Sequence, residues 1–191
     1  MPWEILDRME RAVAKVRERL LRSTAALNQA GVPYAVVGGH AVASWVATVD
    51  EGAVRNTRDV DLLVRREDLP LVTASLEKAG FTAAKSFGVT MFLDGPDAKP
   101  SESIHLLFAG EKVKDGDPFA SPEIVTADDP AGFRVLTFES LVRMKLLSNR
   151  LKDQVHLQDM IGVGLIDQSW LAKLPPILAE RLQAVFDTLK D

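Results

Sequence analysis

The stretch Arg58-Asp59-Val60-Asp61-Leu62-Leu63-Val64 decides the expected fold, because two aspartates alternate in it with apolar residues. Successive side chains of a β-strand point to opposite faces of the sheet. The stretch therefore predicts a strand with one fully apolar face, formed by Val60, Leu62 and Val64. Its other face carries Asp59, Asp61 and Leu63.

Asp59 and Asp61 are the side chains of this strand that can carry chemistry. They lie about 6–7 Å apart along one face, given a rise of about 3.3 Å per residue. Two like charges so placed repel each other, and Asp is a poor strand former. A divalent cation bound by both carboxylates offsets this cost, and Mg²⁺ favours one or two carboxylates together with substrate phosphates. An exposed edge strand whose aspartates face water is the alternative, and the apolar opposite face favours the metal site.

A second motif, Gly38-Gly39, precedes the aspartates by about twenty residues. It follows the apolar run Tyr34-Ala35-Val36-Val37, typical of a buried strand, and leads into a predicted helix at His40. Without side chains in the turn, backbone N–H groups can approach a phosphate, and the helix N-terminus favours an anion. A tight turn without a ligand is the plainer interpretation of Gly-Gly alone. Arg55 and Thr57 share the parity of the aspartates, which predicts phosphate contacts on the same face.

Together these elements resemble the DNA polymerase β-like nucleotidyltransferase superfamily, in particular the small bacterial abortive-infection (AbiEii-like) toxins and the antibiotic nucleotidyltransferases. The resemblance rests first on Val36-Val37-Gly38-Gly39-His40-Ala41 and on Arg55-x-Thr57-x-Asp59-x-Asp61-Leu62. A weaker similarity follows the core, in Leu141-x-x-Met144-Lys145-Leu146, Arg150-x-Lys152-Asp153 and Asp159.

The resemblance implies an α+β nucleotidyltransferase fold, a small mixed β-sheet flanked by helices, and a two-metal reaction. Asp59 and Asp61 would hold Mg²⁺ or Mn²⁺ against a nucleoside triphosphate, and a nucleotide would pass to a hydroxyl acceptor with release of pyrophosphate. The predicted nucleotide-binding residues are Gly38, Gly39, Arg55, Thr57 and Lys145. The acceptor stays open between tRNA, protein and a small molecule, and the toxin-like members imply an antitoxin partner.

His105 departs from the pattern that the resemblance implies. The family places a third carboxylate on a strand like Ser103-Ile104-His105-Leu106-Leu107-Phe108, at the position that faces the site. Imidazole is a poor Mg²⁺ ligand, but it can act as a general base near neutral pH or bind a softer metal. Three alternatives follow: His105 is catalytic in an altered enzyme, the protein binds nucleotide without transferring it, or His105 is a packing residue. Glu102 and Glu111 are weaker candidates for the missing carboxylate.

The pattern of apolar residues divides the chain into two predicted parts. Residues 1–132 form the nucleotidyltransferase core with an N-terminal helix, and residues 133–191 form a helical C-terminal region. The polar, proline-rich segment 109–132 predicts a long surface loop or linker. In the C-terminal region Lys145 and Lys152 are both candidates to reach the triphosphate or the acceptor, and we favour this role for Lys145 and a solvated face for Lys152. Asp153 is a candidate N-cap of the next helix.

The composition excludes several classes of protein. The 191 residues are 47% hydrophobic and 26% charged, with a net charge of -4 and no cysteine. These values are typical of an ordinary globular protein and argue against one whose main role is to coat nucleic acid. Disulfide scaffolds, cysteine zinc sites and thiol nucleophiles are excluded. No apolar run approaches the ~20 residues of a membrane span, and no signal peptide is recognisable, so we expect a cytoplasmic protein with no membrane partner.

Overall fold

The computed structural model describes residues 2–86, 88–95 and 97–190, without the side chains of residues 2, 3 and 101. The described residues form six α-helices and seven strands. In chain order they are α1 (Pro2–Gln29), β1 (Tyr34–Val37), α2 (Gly38–Ala47), β2 (Val60–Val64), α3 (Leu69–Lys78), β3 (Thr82–Ser86), β4 (Val89–Leu93), β5 (Ile104–Phe108), β6 (Thr126–Asp128), β7 (Arg134–Leu136), α4 (Phe138–Ser148), α5 (Leu151–Gly162) and α6 (Pro176–Asp187). Short 3-10 helices occupy Glu51–Ala53, Pro100–Glu102 and Gln168–Lys173.

All the strands belong to one mixed sheet in the order β3-β4-β5-β2-β1-β7-β6. Strand β2 pairs antiparallel with β1 and parallel with β5, so it lies near the centre. Its register sets Asp61 opposite Val37 on one side and opposite His105 on the other. The predicted α+β fold with a mixed sheet and flanking helices is confirmed, and the sheet brings three sequence-distant segments together at Asp61.

The hydrophobic core explains why β2 holds its place. Val60, Leu62 and Val64 are fully buried, as the alternation predicts, and they join one continuous cluster with residues from β1, β5 and the helices. Leu63 on the opposite face is buried as well. The polar face of β2 is therefore confined to its N-terminal end, and burial of the apolar side chains stabilises a strand that the aspartates alone would disfavour.

The segment between β5 and α4 differs from the prediction in one respect. The composition of residues 109–132 predicts a loop, but Thr126–Asp128 is strand β6, which pairs with β7. Strand β7 in turn pairs parallel with β1 through Val36 and Val135. Strands of three residues are too short to show an alternating pattern, which explains the missed assignment. The boundary between residues 132 and 133 falls in this hairpin, and the two-part division stays a prediction.

Helix α1 changes character along its length. Its C-terminal half packs into the core through Leu20 and Leu27, whereas Ile5, Met9 and Val13 in its N-terminal half are exposed. The N-terminal half therefore does not cover the sheet with these residues. Among the described helices, none combines the length and the apolar character that crossing a membrane requires.

Candidate functional site

The turn Gly38-Gly39 packs directly against the β2 side chains. Gly38 has a φ of +67°, a left-handed conformation that favours glycine, and a β-carbon there would lie 2.7 Å from Cγ of Asp61. A β-carbon at Gly39 would lie 2.8 Å from Cβ of Thr57. Helix α2 starts at this turn, and its N-cap residue Val37 makes no side-chain hydrogen bond to it. Both glycines are therefore needed for the helix N-terminus to approach the carboxylate strand.

Asp59 lies just before β2 and has two polar neighbours. The Thr57 hydroxyl donates to Oδ1 of Asp59 at 2.7 Å, and the Lys152 ammonium lies 3.4 Å from Oδ2. Burial by itself would raise the pKa of Asp59, but the Thr57 hydrogen bond and the Lys152 charge together hold it below its usual value. Lys152 is exposed, as the sequence predicts, and α5 also turns it toward the site, which is the other role that the sequence leaves open for it.

His105 occupies the third position beside the two aspartates. Its Nδ1 lies 3.4 Å from Oδ1 of Asp61 and 3.9 Å from Oδ2 of Asp59. The hydrogen-bonding contact with Asp61 raises the pKa of His105, while burial opposes that shift. One ligand atom from each of the three side chains lies within 4.8 Å of the others. The described residues contain no other such group of three. Strand parity predicts that His105 faces the site, and its ring lies there, beside Asp61.

The alternative carboxylates do not join this cluster. Glu111 pairs with Arg66 through two contacts of 2.5 and 2.7 Å at the surface. Glu102 lies in the 3-10 helix before β5 and is not among the clustered side chains. The third side chain of the site is therefore an imidazole.

Arg55 lines a small cavity with Gly39 and Thr57, and it has a protein partner there. Its Nε donates to both oxygens of Asp159 on α5, at 2.9 and 2.7 Å. The Arg55 side chain remains 65% exposed. Thr57, also predicted to contact phosphate, donates a hydrogen bond to Asp59. Both residues adjoin the cluster, and their contact with a nucleotide stays a prediction.

Lys145 lies beneath the surface of the site. It is 4% exposed, and its Nζ lies 3.1 Å from Oδ1 of the fully buried Asp153. Burial lowers the pKa of Lys145, although the charge of Asp153 opposes this. Burial would raise the pKa of Asp153, but Arg150 and Lys145 together lower it to about 2. Lys145 and Arg150 are thus both cationic partners of the Asp153 carboxylate.

Asp153 contributes to the start of α5 differently from the prediction. The N-cap residue of α5 is Arg150, and Asp153 at the third helical position accepts a hydrogen bond from the Arg150 backbone at 3.3 Å. This is the carboxylate half of a capping box, in which the side chain reaches back to the N-cap backbone. The trio of Lys145, Arg150 and Asp153 fixes the first turn of α5, which carries Lys152 to Asp59.

Arg19 on α1 is a supporting residue that the sequence did not reveal. It is buried, donates to the carbonyl oxygen of Arg58 at 3.1 Å, and pairs with Asp94 at 3.2 Å. The same carboxylate accepts a hydrogen bond from Arg22. Helix α1 therefore supports the backbone directly before Asp59. Arginine is frequent along α1, so no sequence signal distinguishes Arg19 from its exposed neighbours.

A protein-family model matches the sequence of this chain, and solved structures share its fold. A family model described as an uncharacterised nucleotidyltransferase matches residues 3–113. The fold is similar to the solution structure of the antibiotic-resistance factor ANT(2'')-Ia, with 15% identity, 94% of each chain covered and a TM-score of 0.54. It is also similar to an antigenic nucleotidyltransferase-like protein from Paracoccidioides brasiliensis, with 16% identity, 93% of this chain and 88% of that chain covered, and a TM-score of 0.50. No curated protein matches the sequence.

Proposed function

The chain belongs to a family of uncharacterised nucleotidyltransferases within the DNA polymerase β-like superfamily, and on that premise we propose that it catalyses a metal-dependent transfer of a nucleotide. The donor is a nucleoside triphosphate and the acceptor is a hydroxyl group. The observation that carries the proposal is the packing of the Gly38-Gly39 turn against Asp61, which sets a helix N-terminus beside two carboxylates.

The residues present fit a divalent cation. Asp59 and Asp61 offer carboxylate oxygens, the ligands that Mg²⁺ and Mn²⁺ prefer. Asp59 is ionised at neutral pH, because its neighbours hold its pKa below the usual value. Gly38 has no β-carbon, so its backbone leaves room for the Asp61 carboxylate. A bound divalent ion would offset the charge of the triphosphate and polarise the reacting oxygens.

Three groups of this chain suit a triphosphate. The backbone N–H groups at the start of α2 and the positive end of its dipole favour phosphate oxygens. Lys152, 48% exposed at the rim beside Asp59, supplies a positive charge. Arg55 would supply a second one by exchanging its partner Asp159 for a phosphate. Lys145, in contrast, acts on the site through Asp153 and the first turn of α5.

The proposed reaction forms one bond and breaks another. The acceptor oxygen bonds to the α-phosphorus of the triphosphate, and the bond from that phosphorus to the bridging oxygen breaks. Pyrophosphate leaves, and the proton of the acceptor hydroxyl passes to a base or to water. In this scheme Asp59 and Asp61 position the donor, and the α2 N-terminus with Lys152 balances the charge of the phosphates.

The test is a transfer assay with α-labelled nucleoside triphosphates, Mg²⁺ or Mn²⁺, and a panel of tRNA, protein and small hydroxyl acceptors. We expect label on one acceptor class and an equal amount of pyrophosphate, with both lost in Asp61→Asn. Binding of triphosphate with no transfer to any acceptor would instead support a non-catalytic nucleotide-binding module. The histidine in the third position is the observation that favours this second candidate.

A toxin-like role is proposed from the family resemblance alone. If the protein is a toxin, its expression should arrest growth, and Asp61→Ala should relieve the arrest at equal protein level. Growth unaffected by the wild-type protein would remove this role and with it the reason to expect an antitoxin. That result would not argue against the proposed transfer reaction.

A further inference from the structure

The ring of His105 is held in one orientation by its Nε2 atom. Nε2 lies 2.9 Å from the carbonyl oxygen of Pro100 and 3.0 Å from the Ser103 hydroxyl. That hydroxyl lies 2.7 Å from the same carbonyl and donates to it. A carbonyl oxygen only accepts hydrogen bonds, so Nε2 must carry a proton and be the donor in this contact. The other ring nitrogen, Nδ1, is the one left to face the site.

The neutral ring presents a lone pair at Nδ1, directed at two groups that also present lone pairs. The Asp61 oxygen is 3.4 Å away and the Asp59 oxygen 3.9 Å away. Such a convergence needs a positive centre between the three groups, which is a proton on Nδ1 when no metal is bound and the metal cation when one takes its place. The geometry is that of a ligand set, with two oxygens and one nitrogen within 4.8 Å of each other.

We propose that His105 Nδ1 is a third metal ligand of this site, and that the site therefore prefers Mn²⁺ and other first-row transition metals to Mg²⁺. Imidazole nitrogen suits these ions, whereas Mg²⁺ favours oxygen ligands throughout. Ligating histidines usually donate their second ring N–H to a backbone carbonyl or a carboxylate, as His105 does to Pro100. The inference rests on the proposed metal site and deepens it.

This assignment separates two roles that the sequence leaves open for His105. A nitrogen that donates its lone pair to a metal cannot accept a proton from the acceptor hydroxyl at the same time. His105 is then a ligand that selects the metal, and the proton of the acceptor passes to another base or to water. An imidazole in place of the third carboxylate changes which metal the site prefers, and the two aspartate ligands are kept.

The experiment is pulsed electron paramagnetic resonance of Mn²⁺ added to the intact protein, combined with calorimetric titration of Mn²⁺ and Mg²⁺. We expect coupling of the manganese spin to a directly bound nitrogen in the wild type. We also expect Mn²⁺ to bind at least roughly tenfold more tightly than Mg²⁺. His105→Ala should remove the nitrogen coupling, and His105→Asp should remove it while bringing the two affinities closer together. Circular dichroism would establish that each variant is folded.

The outcomes distinguish this inference from the proposed function. Tight Mn²⁺ binding without nitrogen coupling, unchanged in His105→Ala, would overturn the role of His105 and leave the aspartate site intact. Binding that Asp59→Asn and Asp61→Asn do not weaken would overturn the metal site itself. If Mg²⁺ binds as tightly as Mn²⁺ in the wild type, the proposed selectivity is wrong even if nitrogen coupling is present.

Discussion

Gly38 and Asp61 are packed so closely that a β-carbon at position 38 would lie 2.7 Å from Cγ of the aspartate. The contact arises because β1 and β2 are neighbours and Val37 pairs with Asp61. The glycine turn and the carboxylate strand are therefore two halves of one site, although about twenty residues separate them in the chain. This explains in physical terms why the two motifs occur together.

Gly38→Ala tests this contact. The added methyl group must displace the Asp61 carboxylate, so we expect metal affinity to fall by at least about tenfold. Gly31→Ala is a matched control, because Gly31 has the same φ of +67° and no described residue would come within 4 Å of a β-carbon there. Both variants should lose roughly 1 kcal/mol of folding stability from the left-handed conformation. Equal metal affinity in the two variants, measured by calorimetry, would contradict the proposed coupling.

Lys152→Ala tests the cation beside Asp59. We expect nucleotide affinity to fall roughly tenfold, since a phosphate-binding charge is lost. Metal affinity measured without nucleotide should not fall, because the substitution removes an ammonium that would compete with the metal for the Asp59 carboxylate. Lys190→Ala is the control, since Lys190 pairs with an exposed aspartate at the C-terminus. Unchanged nucleotide binding in Lys152→Ala would show that Lys152 does not bind the phosphates.

Asp153→Asn tests the ion pairs under the site, of which the one between Lys145 and Asp153 is buried. The substitution leaves the Lys145 ammonium buried without its carboxylate, which costs about 3 kcal/mol in such settings. Urea denaturation should therefore show a large decrease in the free energy of unfolding. Asp187→Asn, which breaks an exposed pair with Lys190, should leave that free energy unchanged. Similar stabilities of the two variants would argue against a structural role for the trio of Lys145, Arg150 and Asp153.

Burial of His156 should make the folded protein less stable in mild acid. Burial, assisted by the charge of Lys145, lowers the pKa of His156 from 6.5 to about 4. The unfolded chain takes up a proton first as the pH falls through 6.5, so folding becomes less favourable between these two values. Above pH 6.5 the residue is neutral in both states and contributes no pH dependence.

The measurement is the free energy of unfolding of wild type and His156→Gln at about pH 7 and about pH 4.5. We expect the wild type to lose on the order of 2 kcal/mol more than the variant between these conditions. Parallel decreases would show that His156 is not the group responsible. The comparison with the variant is needed because burial lowers the pKa of His40 as well.

The parts of the fold that the sequence predicted are those with a strong local pattern. Strand β1 is an uninterrupted apolar run, and β2 and β5 alternate, so parity alone placed Asp61 and His105 on one face. Strands β6 and β7 have three residues each and exist only because β1 offers an edge to pair with. Such a pairing leaves no periodic signal in the sequence.

The two lysines of the C-terminal region show a second limit. Helical periodicity gives the face on which a residue lies, but not what lies opposite that face. The sequence favours Lys145 as the lysine at the triphosphate, yet Lys145 is buried against Asp153, whereas the exposed Lys152 lies beside Asp59. The packing of α4 and α5 on the core sets which of the two lies beside Asp59. That packing depends on contacts far apart in the chain.

Diffraction from crystals soaked with Mn²⁺ and a non-hydrolysable nucleoside triphosphate would test the central claim most directly. Anomalous scattering identifies manganese directly and distinguishes it from water. We predict a manganese peak bound by Asp59 and Asp61, with phosphate oxygens beside the Gly38-Gly39 turn. Manganese and triphosphate bound elsewhere on the protein, with both aspartates free of metal, would contradict it.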